Sequence, residues 1–354
     1  MGVFSCSLIG NNLIVSAMND LFERLLILRS PKIGPATYNG LLGRFGSPAA
    51  VVDFLSPSQE LRDAVSRELD AAQKLDVKFI SDEDDCYPAA LKQMKNHPPL
   101  LSVRGNMDTL RCESVSIVGT RHATGVGMKF VADMAMAFAE HSISVVSGMA
   151  IGTDSAAHRG ALRAAGDANT VAVLAGGVDY VWPLENESLY YEILARGAIV
   201  SEMPIGFIPK GTNFVQRNRI IAGIGTKLIL SEADLGSGSM KTAEFAIQMG
   251  RQIYAVPSHP ADSRATGPNS LIRSGAAILC QGAEDFFMMG QKTQKEIKKS
   301  ESENAILDKI GTVPVSESVL AEIVGKNISE IKRELVILEL QGLIRKTDLG
   351  YTRV

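Results

Sequence analysis

Short β-branched runs alternate with helical stretches through the middle of this sequence, and glycine turns close four of those runs. With 32 glycines in 354 residues, these features predict an α/β fold: a doubly wound, mostly parallel Rossmann-like sheet. A small helical domain of SAM or helix-hairpin-helix type is expected before it, and a winged helix after it. The expected boundaries are 1–110 for the helical domain, 111–290 for the sheet domain, 291–304 for a linker and 305–354 for the winged helix.

The first third reads as helical to about Leu110. Leu21, Leu25, Leu26 and Leu28 fall at helical spacing. "SPKIGPATYNGLLGRFGS" then places a turn at Pro31–Gly34, a helix start at Pro35 and a stop near Gly46, which makes a helical hairpin. Packing is the commoner role of such a hairpin; contact with a DNA backbone through its glycine turn is the alternative. The middle third reads as strands 115–118, 143–147, 170–175, 198–201, 227–231, 252–256 and 276–279. Helices are expected between them at 126–140, 153–165, 186–196, 212–223 and 239–249. Residues 290–304, "GQKTQKEIKKSESEN", hold a single large apolar residue, Ile297, and read as a linker. In the tail, helix 305–310 precedes "PVSESVLAEIVG" and "NISEIKRELVILELQG". Asn327 caps the latter with Glu330 three residues on, and Ile328, Ile331, Leu335 and Leu338 form its apolar stripe. "LIRKTDLGYTRV" then gives two strands around an Asp348-Leu349-Gly350 turn. Three helices and a hairpin describe the winged helix.

Composition narrows the function. The net charge of −3 gives no bulk attraction to a polyanion, so any such site must be local. Cys6, Cys86, Cys112 and Cys280 are far apart, which disfavours a disulfide framework or a zinc site and fits a reducing cytoplasm. No run of 18 apolar residues predicts a membrane span. The start, "MGVFSCSLIGNNLIV", lacks a basic flank and fails the myristoylation pattern at Cys6; translation from Met1 and from Met18 both fit.

"SIVGTRHATGVG", Ser116 to Gly127, is a strand, a glycine turn and a helix start. Its glycines, Gly119, Gly125 and Gly127, miss the dinucleotide spacing, and the next strand ends in "VVSGMA" with no acid for a ribose. No dinucleotide cofactor is expected. Backbone N–H groups at Gly119 and Thr120, the helix N-terminus and Arg121 are suited to an anion, with a structural ion pair the alternative for Arg121. A second turn, Ser147-Gly148, leads to a helix carrying Asp154 and His158 four apart; capping by Asp154 and packing by His158 are favoured over a metal or acid–base pair. Further turns lie at Gly176-Gly177 and at Gly236-Ser237-Gly238-Ser239, the last leading into a helix. Four turns converge on one sheet edge, more than a small cofactor needs and enough for an extended polyanion. "PKGTNFVQRNRIIAG" adds Lys210, Arg217 and Arg219 around Phe214, with Asn213, Gln216 and Asn218 interleaved. Cations for phosphates and an aromatic for a base are what single-stranded nucleic acid needs; Phe214 as core beside a solvated face is the alternative.

Together "SIVGTRHATGVG", "VVSGMAIGTDSAAHRGAL", "AVLAGGVDYVWPLEN", "IVSEMPIG", "FVQRNRIIAG", "SEADLGSGSMKTAEFAIQMGRQIYAVP" and "TGPNSLIRSGA" resemble the DNA processing protein A (DprA/Smf) family, in order over about 115 to 280. "DEDDCYPAALKQMKNHPPLLSVRGN" resembles the segment before that family's core, and the tail its winged helix. The resemblance implies a cytoplasmic, non-enzymatic protein that binds single-stranded DNA, protects it on entry and loads RecA recombinase during natural transformation, as a homodimer. It places Arg121 on a phosphate and maps the basic and aromatic positions to Lys210, Phe214 and Arg217. The sequence departs from the family at Trp182, where tyrosine is usual before Pro183, at Met240-Lys241, and at "VPSHP" in place of V-P-G. Two other readings stay open. "GSGSMKTAE" resembles the loop of phosphoribohydrolases acting on nucleoside monophosphates, with Thr242 and Glu244 on the phosphoribosyl group. The winged helix, exposing Lys332, Arg333, Glu334 and Glu339, is either a duplex reader or a protein-interaction module.

Overall fold

The computed structural model describes residues 19–165, 170–287, 306–311, 313–340, 342–347 and 350–353. The alternative starts, Cys6, the linker and Asp348-Leu349 fall outside the described residues. The chain divides into two compact units, one ending at Ala283 and one beginning at Glu284.

Four helices open the first unit: α1 (19–29), α2 (Pro35–Phe45), α3 (Pro48–Leu55) and α4 (Gln59–Lys74). Proline stands at the first position of α2 and α3, where its missing N–H costs nothing, and Gly46 ends α2 at φ 80°. Leu25, Leu26, Ile27, Tyr38, Val51, Val52 and Val65 form their shared core. The helical reading ends there, not at Leu110. β1 (Lys78–Ser81) and β2 (Leu100–Gly105), with the short α5 (Ala89–Lys92) between them, are part of the sheet.

The sheet then alternates with helices as the sequence predicts: β3 (Ser114–Val118), α6 (Gly125–Glu140), β4 (Ser144–Ser147), α7 (Thr153–Arg163), β5 (Thr170–Val173), α8 (Glu187–Arg196), β6 (Ala198–Ser201), α9 (Gly211–Ile224), β7 (Lys227–Leu230), α10 (Gly238–Gln248), β8 (Gln252–Ala255), α11 (Thr266–Arg273) and β9 (Ile278–Leu279). Strand order is β1-β2-β6-β5-β4-β3-β7-β8-β9. The strands from β3 to β9 pair in parallel, whereas β2 runs antiparallel to β6 and β1 antiparallel to β2. Side chains alternate between the faces: Val171, Val173, Ala198 and Val200 join the core under α9 and α10, while Ala172, Leu174 and Ile199 join that of α7 and α8. The order reverses at β3, which has β4 on one side and β7 on the other. The loops after β3 and β7 therefore flank a crevice at the carboxyl end of the strands.

The second unit holds α12 (Glu317–Val324), α13 (Ile328–Leu340) and the antiparallel hairpin β10 (Ile344–Thr347) and β11 (Gly350–Arg353). Asn327 accepts the Glu330 N–H at 2.9 Å, as a cap should. Ile306, Ile310, Leu320, Ile331, Leu335, Leu338, Ile344 and Tyr351 form its core. Ile328, assigned to the apolar stripe by its spacing, is exposed instead at the first turn of α13.

Candidate nucleic-acid interface

A cavity of about 520 Å³ opens at the crevice. The loop after β3 forms one wall and is tied to β7 through Glu232. Thr120 N–H donates to the Glu232 carbonyl oxygen at 2.6 Å, and the Thr124 N–H and hydroxyl both donate to the Glu232 carboxylate. Thr124 Oγ1 in turn caps α6 by accepting the Gly127 N–H at 2.9 Å. An anion was expected at the start of α6; the chain's own carboxylate occupies that end of the helix. Ser239 Oγ donates to the Gly119 carbonyl oxygen at 2.7 Å, and Asn218 Nδ2 to that of Gly238 at 3.1 Å, so α9, α10 and the loop brace one another.

Arg121 is exposed and forms no ion pair among the described residues. Its guanidinium carbon lies 5.0 Å from the Trp182 ring centroid and 6.0 Å from that of Phe214. The two rings are 4.4 Å apart and inclined by 56°. A cation over two aromatic faces is favourable by about 0.5–1 kcal/mol at an exposed site. The site readings from sequence included Phe214 and Arg121 but not Trp182. The signal available was the chain's one tryptophan at the end of a strand-to-helix loop. Lys210 stands exposed at the start of α9, where its N–H donates to Asn213 Oδ1 at 2.9 Å; Asn213 thus acts as part of the helix cap.

The floor of the cavity differs from expectation. Arg217 was counted among the surface cations, but it is 6% exposed. Its Nη1 donates to the Gly148 carbonyl oxygen at 2.7 Å and to that of Val173. Burial pushes its pKa down to about 10, against the pull of Asp154. Asp154 is buried beside it, and burial raises its carboxyl, opposed by the field of Arg217. Asp154 accepts the Ala150 N–H at 3.3 Å. His158 is fully buried with Nδ1 2.8 Å from Thr170 Oγ1, and burial first, Arg217 second, pushes its pKa down to about 3. His158 is hydrogen-bonded in the interior, as favoured from sequence, but Asp154 does not cap α7, whose N-cap is Gly152 without a side-chain bond; it lines the cavity instead.

Two of the four glycine turns are corrected as well. Ser147 and Gly148 are buried: Ser147 Oγ donates to the Ile117 carbonyl oxygen at 2.7 Å, and a Cβ on Gly148 would come within 2.5 Å of the Arg217 guanidinium. Gly176 and Gly177 are buried beneath the loop before α9, and Gly177 N–H donates to the Phe207 carbonyl oxygen at 3.0 Å. The Gly177 N–H thus serves the chain itself. The cavity therefore gathers Gly119, Thr120, Arg121, Phe214, Arg217, Asn218, Gly238 and Ser239, with Lys210 and Asn213 beside it. Arg219 is committed to Glu202 and to the Asn96 carbonyl oxygen at 3.2 Å. Glu244 is exposed and paired with Lys241 at 2.9 Å, and Thr242 Oγ1 donates to the Gly238 carbonyl oxygen within α10. Among the described residues no three His, Cys, Asp or Glu side chains are grouped to hold a metal ion, and no helix is long and apolar enough to cross a membrane.

Comparison with known proteins places these features in context. The family model for DNA recombination-mediator protein A matches residues 78–290. Models for the DprA-like N-terminal HHH domain and the DprA winged helix domain match 18–77 and 290–348. The chain is 37% identical over 201 residues to the DNA processing protein DprA of Streptococcus pneumoniae, covering 57% of this chain and 70% of that protein. It is 32% identical over 251 residues to Protein Smf of Synechocystis, covering 70% of this chain and 57% of that protein. The X-ray structure of the S. pneumoniae protein superposes with a TM-score of 0.61 at 30% identity, covering 77% of this chain and 95% of that one. A structure of DNA processing protein A from Helicobacter pylori, which describes that protein's single-stranded DNA binding mode, superposes at 0.55 and 28% identity, covering 61% and 97%.

Proposed function

The chain belongs to the DNA recombination-mediator protein A family, and from that premise we propose that it binds single-stranded DNA at the crevice beyond β3 and β7. The observation that carries this reading is Arg121 over Trp182 and Phe214 at the mouth of a cavity of about 520 Å³. Aromatic faces stack on any base, for about 1–3 kcal/mol each. Arg121 and Lys210 neutralise phosphates, and Gly119, Thr120, Asn218, Gly238 and Ser239 shape the wall. That the H. pylori relative binds single-stranded DNA supports the class of ligand. Bound in this way, the protein protects an incoming strand and presents it to RecA recombinase during natural transformation, acting as a homodimer in the cytoplasm. We read its action as binding: Glu244, which a phosphoribohydrolase would turn on its substrate, is not among the residues lining the cavity.

The test is a fluorescence-anisotropy titration of labelled oligo-dT against matching duplex at two salt concentrations. Preference for the single strand, lost in Phe214→Ala, is expected. Arg121→Ala and Lys210→Ala should each flatten the salt slope by about 0.7. Wild-type titrations from all three variants would remove the site.

A further inference from the structure

We propose that a strand bound here crosses the carboxyl edge of the sheet with its bases turned in onto a row of exposed apolar side chains and most of its phosphates turned out to solvent. This rests on the single-strand reading above. Val126, Ile151, Leu184, Ile208, Val215 and Leu235 are large apolar residues exposed at this edge; Leu184 is 73% exposed and Leu235 59%. Single exposed apolar residues are ordinary. These surround one cavity: Val215 lines it, and Ile151, Leu184 and Leu235 lie within two residues of the lining residues Ala150, Trp182 and Ser237.

Topology sets the segments that carry them in order across the carboxyl edge. The segments leaving β6, β5, β4, β3 and β7 carry Ile208, Leu184, Ile151, Val126 and Leu235, and those strands are adjacent in that order. At ~4.8 Å between strands this order spans about 19 Å, longer than one nucleotide. Exposed carboxylates stand within it, Glu185 beside Leu184 and Asp234 beside Leu235. A carboxylate repels phosphates but accepts N–H donors from base edges. Apolar faces with interspersed acceptors therefore fit bases and oppose a backbone laid along the same path. Arg121 and Lys210 are left to meet the phosphates nearest the cavity. Two such contacts give a salt slope of only about −1.4.

The test compares oligo-dT with an abasic oligonucleotide of equal length, which has the same phosphates and no bases, using the full-length wild type and the double variant Leu184→Ser/Leu235→Ser. The wild type should bind oligo-dT at least about tenfold more tightly than the abasic strand. The double variant should lose about tenfold on oligo-dT and nothing on the abasic strand. Equal wild-type affinity for the two strands would overturn the proposal and the stacking on Phe214 with it, leaving single-strand binding through phosphates alone; wild-type preference for oligo-dT that survives in the double variant would overturn the proposal and leave the stacking on Phe214 standing. An equal loss on both strands would also overturn it. Binding to neither would remove the single-strand reading itself.

Discussion

Replacing Arg121 by alanine removes an exposed guanidinium that rests on two rings, whereas replacing Arg217 by methionine strands Asp154 in the interior without its counter-charge. The first should leave the melting temperature within about 1 °C and weaken oligo-dT binding. The second should cost about 1–3 kcal/mol of stability, because the buried Gly148 and Val173 carbonyl oxygens lose their donor, measured by urea denaturation. His158 supplies a pH test at the same scale. Thr170 Oγ1 gives its proton to the Val145 carbonyl oxygen at 2.8 Å, so His158 Nδ1 must be the donor to Thr170. That leaves Nε2 unprotonated, and it has no partner. The folded pKa of about 3 lies below the ordinary histidine value of 6.5, so the unfolded chain binds the extra proton. Stability should therefore fall as pH drops from about 6.5 towards 3, by about 2 kcal/mol between pH 7 and 5. Denaturation midpoints of wild type and His158→Asn at the two pH values check this. The comparison isolates His158 from Asp154, whose raised pKa works in the opposite direction.

At the scale of elements, α6 shows how a sequence motif can be right in form and wrong in use. Its glycine turn and helix start stand where the sequence predicts them, yet Glu232 from the loop after β7 closes the end of the helix. Thr124→Ala should thus cost about 1–2 kcal/mol in urea denaturation, as lost caps do, while leaving oligo-dT affinity unchanged. A large loss of affinity would return a phosphate to that helix end. The parallel strands and their helices were legible because each is a continuous apolar run closed by a turn. β1 and β2 were not: β2 pairs antiparallel with distant β6 and β1 with β2, and no local pattern encodes that pairing. Glycine turns announce a tight bend but not whose oxygen their N–H groups meet, and at Gly177 it is Phe207. Arg217 was readable after all. It precedes Ile220, Ile221 and Ile224 by three, four and seven residues, which places it on the buried face of α9.

At the scale of the whole molecule, the cavity is built from residues between Val118 and Thr242, all within the unit ending at Ala283. The second unit has a hydrophobic core of its own. Cations on α13 and the turn before it are committed to internal pairs: Lys332 with Glu317 at 3.3 Å and Lys326 with Glu334 at 2.8 Å. Ion pairs of this kind leave α13 little net charge for phosphates, whatever duplex or protein the winged helix meets. Deleting residues 301–354 should therefore keep oligo-dT affinity within about twofold of the full chain, a change of ~0.4 kcal/mol. Anisotropy titration of the truncated and full-length proteins at one salt concentration measures it. A loss beyond tenfold, about 1.4 kcal/mol, would mean that the winged helix contributes contacts to the strand, and the crevice at β3 and β7 would then be only part of the site.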